Sequence, residues 1–180
     1  MNPETALVER ARGGDEEAFM ELVTIYKPKI TKMASRFGRD VAEVSDLTQE
    51  IFLEVWKSIP KFRAEAPFEH WLSRVALNRC RKFLRSEYSR RKHEVLQGEP
   101  VERRASGDER NEKDTKELLD RAMRQLKPDD ALVLTLKELD GYSLEEVAKL
   151  TGWTVANVKV RSHRARKRLK EILEQTGEWP

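Results

Sequence analysis

The chain has 180 residues and 38% hydrophobic content, with 35 Lys and Arg against 32 Asp and Glu for a net charge of +3. That length fits one medium domain or two small ones, and a single cysteine, Cys80, excludes an internal disulfide and any multi-cysteine zinc cluster. The charged start has no signal-peptide core and no run approaches a membrane span, so a soluble, cytoplasmic protein without direct membrane insertion is expected. Only 8 Gly and 7 Pro, with few β-branched runs, point to an all-α fold.

From Asp15, a candidate N-cap, Phe19, Leu22, Val23, Tyr26, Ile30, Met33 and Phe37 recur at helical steps. Pro28 is expected to kink or split this helix, and Gly38 to stop it. A second helix has Val44, Leu47, Ile51, Val55 and Ile59 on its buried stripe and ends at Pro60. "KFRAEAP" reads as a loop. A third helix starts near Pro67 and turns Phe68, Trp71, Leu72, Val75, Ala76 and Phe83 inward.

Residues 87–113 hold seven acidic and seven basic residues and few large apolar ones. Too little apolar surface is available there to offset ordering entropy, so a linker is expected, the alternative being polar helical extensions over its ends. Two small helical domains follow, 1–86 and 114–180, joined by this polar linker. In the second, Leu118, Leu119, Ala122, Met123 and Leu126 are periodic and "KPDD" interrupts. "ALVLTLKEL" could pass for a strand but sits between helical patterns and is read as helix.

The segment "GYSLEEVAKLTGWTVANVKVRSHRARKRLK" is the most informative. Ser143 and Glu146 form a capping box, with Tyr142 and Val147 as a hydrophobic staple. Gly152 supplies a left-handed stop. Thr154 caps the next helix, with Trp153 and Val158 as its staple. This is the spacing of a helix-turn-helix. On the second helix Val158, Ser162, Ala165, Leu169 and Ile172 share one side. Ala156, Lys159, Val160, His163, Arg164 and Lys167 share the other, and Arg161 and Arg168 flank the apolar edge. From Thr154 to Lys170 there are seven Lys or Arg and no acid. A solvated helix normally mixes signs; this one suits DNA, with phosphates taking most of the charge and the outer face reaching base edges.

The stretches "DLTQEIFLEVWKSIPKFR", "FEHWLSRVALNRCRKFLR" and the helix-turn-helix, in that order around a polar linker, resemble the group IV bacterial sigma factors of the extracytoplasmic-function (ECF) type, in the sigma-70 superfamily. The resemblance covers nearly the whole chain. It implies a non-enzymatic factor that binds core RNA polymerase at the largest-subunit clamp and at the flap. The first domain would open the minus-10 element as single strand and the second read the minus-35 element as duplex. It also implies an anti-sigma partner, which nothing in the sequence identifies.

By position, Asp46, Gln49, Glu50, Leu53 and Trp56 match the clamp-binding helix. Phe62, Arg63, Arg74, Asn78, Arg79 and Lys82 match the minus-10 region, where a flipped base needs a stacking wall and an edge partner. Arg81 and Arg85 are further cations for the single strand. Lys159, Val160, His163, Arg164 and Lys167 match minus-35 contacts; Val160 departs from the expected small polar residue and can touch a thymine methyl but donate nothing. Simpler roles stand beside two of these: Trp56 as core and Phe62 as loop packing. Asp46 and Glu50 lack the companions of a catalytic or metal site, and His163 has no partner at ligand spacing, so no catalytic residue, metal or cofactor is expected. The rival functions are a helix-turn-helix regulator independent of polymerase and a nucleic-acid-processing enzyme.

Overall fold

The computed structural model describes residues 3–96 and 112–176, which are helical with no strand among them. They fall into two compact units, Met1–Phe83 and Leu84–Pro180.

The first unit is built on α1 (Pro3–Arg12), α2 (Glu16–Ala34), α3 (Val41–Ser58) and the start of α4 (Phe68–Leu96). Patterning that begins at Asp15 misses α1, whose apolar face is only Leu7, Val8 and Ala11; all three join the core. The Tyr26 hydroxyl donates to Glu4 of α1, and burial, then this bond, push the Tyr26 phenol well above its ordinary value.

Asp15 caps α2, accepting from the Ala18 N–H at 3.0 Å. Pro28 does not split this helix. Pro28 and Thr24 are both exposed, so the Thr24 carbonyl that loses its usual donor can be hydrated. The helix ends at Ala34, and Gly38 donates back to the Ala34 carbonyl at 3.0 Å. A Cβ on Gly38 would meet Val44 Cγ2 at 2.7 Å and the Val44 nitrogen at 3.0 Å, so this close approach to α3 requires glycine. Leu47, Ile51 and Val55 of α3 pack against Leu22, Ile30, Leu72 and Ala76. Pro60 turns the chain through a short 3-10 segment, Ile59–Lys61.

The linker expected from Glu87 begins instead as helix, since α4 continues to Leu96. Extending an existing helix needs no new nucleus, and local pairs help, with Arg90 2.8 Å from Glu87 and Arg91 donating to the Glu87 carbonyl. Residues 97–111 of the expected linker lie outside the described residues.

The second unit contains α5 (Glu112–Gln125), α6 (Pro128–Leu134), a π turn (Thr135–Leu139), α7 (Leu144–Thr151) and α8 (Val155–Thr176). "ALVLTLKEL" is helical throughout, as α6 and the π turn. Leu118 and Ala122 of α5 and Leu126 just after it form a core with Ala131 and Leu134 of α6 and Ala165, Ile172 and Leu173 of α8.

Candidate nucleic-acid interface

The turn between α7 and α8 is set by local chemistry. Ser143 Oγ accepts from the Glu146 N–H at 3.2 Å and Glu146 Oε2 accepts from the Ser143 N–H at 2.8 Å, a closed capping box. These bonds, the one from the Ser143 backbone first, hold the Glu146 carboxyl below its ordinary value. Gly152 ends α7 in the left-handed region at φ 75°. Thr154 Oγ1 then accepts from the Asn157 N–H at 3.2 Å and starts α8.

On α8, Val158, Ser162, Ala165 and Ile172 are buried. Lys159, Val160, His163, Arg164 and Lys167 are all exposed on the opposite side, Val160 by 63%. Lys159 and Lys167 have no ion-pair partner among the described residues. Arg161 is held inward: its guanidinium lies 4.7 Å over the Trp153 ring, donates to Asn157 Oδ1 at 2.6 Å and sits 3.5 Å from Asp129 and 3.9 Å from Asp130. Arg164 donates to Asp130 Oδ1 at 3.2 Å. Asp130 lies 34 residues away on α6, and no local sequence signal links the two.

In the first unit, α3 presents two faces. Asp46, Gln49 and Leu53 are exposed, Leu53 by 57%, opposite the buried Leu47, Ile51 and Val55. Gln49 Nε2 donates to Ser45 Oγ at 3.3 Å. Trp56 is half-buried on the core, its ring 4.8 Å from that of Phe19. Glu50 pairs with Arg79 of α4 at 2.6 Å, which draws together a residue expected at the polymerase and one expected at DNA.

Arg74, Asn78 and Lys82 form one exposed stripe of α4 at four-residue steps. Arg79 stands about 100° around the helix from Asn78 and leaves that stripe for Glu50. Arg63 is exposed in the loop, 4.0 Å from Glu65. Phe62 is 5% exposed, its ring centroid 5.6 Å from Phe68 and 5.2 Å from Trp71. It is therefore corrected from a wall that stacks on a base to a core residue: three aromatic rings bury more surface together than one offered to solvent. Cys80 is fully buried, and burial pushes its thiol up to about 12.

Residues 22–90 match the family model Sigma-70 region 2, and residues 116–169 match Sigma-70, region 4. The ECF RNA polymerase sigma-E factor of Haemophilus influenzae is 31% identical over 180 residues, 94% of each chain. The chain belongs to the ECF sigma factors. The sigma-E factor of Escherichia coli K12 is also 31% identical, over 89% of this sigma factor and 88% of that one. Among solved structures, CnrH in complex with the cytosolic domain of CnrY aligns with a TM-score of 0.57 at 25% identity, covering 94% of this chain and 96% of that one. RpoE of Bartonella quintana, in complex with the anti-sigma factor NepR, has the same fold at a TM-score of 0.56, 23% identity, and 87% and 96% coverage.

As a member of this family of transcription initiation factors, the sigma factor binds core RNA polymerase and promoter DNA and directs promoter-specific initiation. No described helix is long and apolar enough to cross a membrane.

Proposed function

We propose that the two units divide promoter recognition. The exposed face of α8 (Lys159, Val160, His163, Arg164 and Lys167) enters the major groove of the minus-35 element. The α4 stripe of Arg74, Asn78 and Lys82, with Arg63 from the loop, holds the minus-10 element as single strand, and Asn78 bonds the edge of an extruded base. Phe62 supports that loop from beneath. Asp46, Gln49, Leu53 and the exposed part of Trp56 meet the polymerase clamp, with Glu50 and Arg79 bracing α3 against α4. The region 4 unit meets the flap.

The factor carries out no catalysis. Binding of exposed bases offsets the few kcal/mol of unstacking and so favours opening. It works in the cytoplasm with the polymerase and is held by an anti-sigma protein, as CnrH and RpoE are found with CnrY and NepR. The domains proposed are 1–86 and 114–180.

The observation that carries this reading is the face of α8. A capped helix-turn-helix exposes four cations or donors and one apolar residue together, with no acid among them. Reconstitution with core polymerase and selection from random DNA tests it. A two-element promoter is expected, and Asn78→Ala should leave minus-35 duplex binding intact while impairing open-complex formation. Normal opening by that variant removes Asn78 from the minus-10 contact, and failure to join core polymerase removes the whole reading.

A further inference from the structure

Among the described residues of the second unit Asp130 is the buried carboxylate, its side chain only 6% exposed, and two arginines of α8 converge on it. Their situations differ. Arg161 has three other holds, Asp129, Asn157 and the Trp153 ring, so it stays in place without Asp130. Arg164 has Asp130 as its one partner among the described residues, and its own side chain remains 58% exposed.

A buried carboxylate that loses its hydrogen-bonded cation incurs a desolvation penalty, which Arg161, 3.9 Å away and not hydrogen-bonded to Asp130, offsets only in part. Asp130 therefore resists release of Arg164, and a guanidinium donating along one edge still has donors free on the other. Guanine presents two acceptors, N7 and O6, to such a fork in the major groove. A side chain already fixed in direction loses less rotamer entropy on binding than a free one.

We infer that Asp130 is a positioning residue that holds Arg164 with its outer guanidinium edge turned toward DNA, and that the base read there is a guanine. This rests on the assignment of the α8 face to the minus-35 element. Asp130 itself touches no DNA; it sets the direction from which Arg164 approaches.

The test uses full-length protein in holoenzyme and a duplex carrying the selected upstream element, with each base pair substituted in turn. Wild type, Arg164→Ala, Asp130→Asn and the double variant are compared for affinity and for discrimination at each position, with thermal unfolding as a control. Arg164→Ala is expected to lose roughly 5- to 150-fold at one G·C pair. Asp130→Asn should lose roughly 2- to 12-fold, at that same pair, and add nothing in the double variant. Should Asp130→Asn unfold, Asp130→Glu, which keeps the charge but moves it, takes its place in the same cycle. Additive losses, equal losses on every sequence, or an unchanged preference in the Asp130 variant overturn the inference while leaving the α8 assignment standing. No loss with Arg164→Ala overturns both Arg164's assignment and this inference.

Discussion

The two basic faces of this sigma factor hold their charge in different ways. On the α8 face, Arg164 lies 3.2 Å from Asp130 while Lys159 and Lys167 have no ion-pair partner among the described residues; Arg161, Arg166 and Arg168 beside that face lie 3.5, 4.0 and 3.1 Å from carboxylates. On the α4 stripe, Arg74 and Lys82 have no such partner among the described residues. A partnered guanidinium keeps a direction, which suits base edges at fixed positions in a duplex groove. An unpartnered cation can follow a strand whose path varies, at the cost of ordering its own side chain on binding. The difference teaches that cations alone do not describe a nucleic-acid face; their partners decide whether it reads or merely holds.

The largest effect expected from breaking the comparison lies on α3, in the first unit. Ile51→Ala, at a fully buried position, should cost about 2–5 kcal/mol of stability, whereas Leu53→Ala should stay within about 0.5 kcal/mol while weakening core polymerase binding. Denaturant unfolding and a polymerase affinity measurement decide it; equal stability losses would mean that α3 has no separate outward face.

Next comes the turn that aims α8. Ser143→Ala should remove about 0.5–2 kcal/mol and weaken minus-35 binding in parallel. Because Glu146 is held below its ordinary value of 4.5, its stabilising contribution is full above that value and fades as pH falls through the lowered one. Unfolding midpoints across pH 3–6 should flatten in the Ser143→Ala variant, and an unaltered profile would show that the capping box does not set this pH dependence.

The two faces can also be separated by salt. Lys167→Ala should lower the log–log salt slope on duplex by about 0.9, and Lys82→Ala that on single strand by about 0.7. If each variant altered both slopes equally, the division between duplex and single-strand faces would fall.

The smallest effect concerns Cys80. A thiol raised to about 12 and fully buried stays protonated at pH 8, so thiolate-directed reagents should modify it only in denaturant. Rapid labelling of the native protein would show that the α4 core opens readily.

What the sequence discloses here follows from the range of the forces involved. The α7–α8 turn is legible because its determinants sit within a few residues: Ser143 with Glu146, Gly152 with its positive φ, and Thr154 with Asn157. The outer face of α8 is legible because helical periodicity alone sorts Lys159 and Arg164 from Val158 and Ala165. The burial of Phe62 is legible only as an alternative to a base-stacking role, because it depends on where Phe68 and Trp71 are carried by the next helix. Glu50 with Arg79, and Asp130 with Arg164, are pairs made by tertiary packing between residues 29 and 34 apart. The helix α1 is missed because its three apolar residues acquire meaning only once α2 is beside them.

Val160 stands uncharged among cations at the surface of α8. Exchanging it for Ser, Thr or Ala would leave the protein's formal charge, and hence its bulk attraction to phosphate, untouched. Promoter preference could then drift by single codon changes at that position, letting a lineage reassign which genes this factor serves while its hold on DNA in general stays constant.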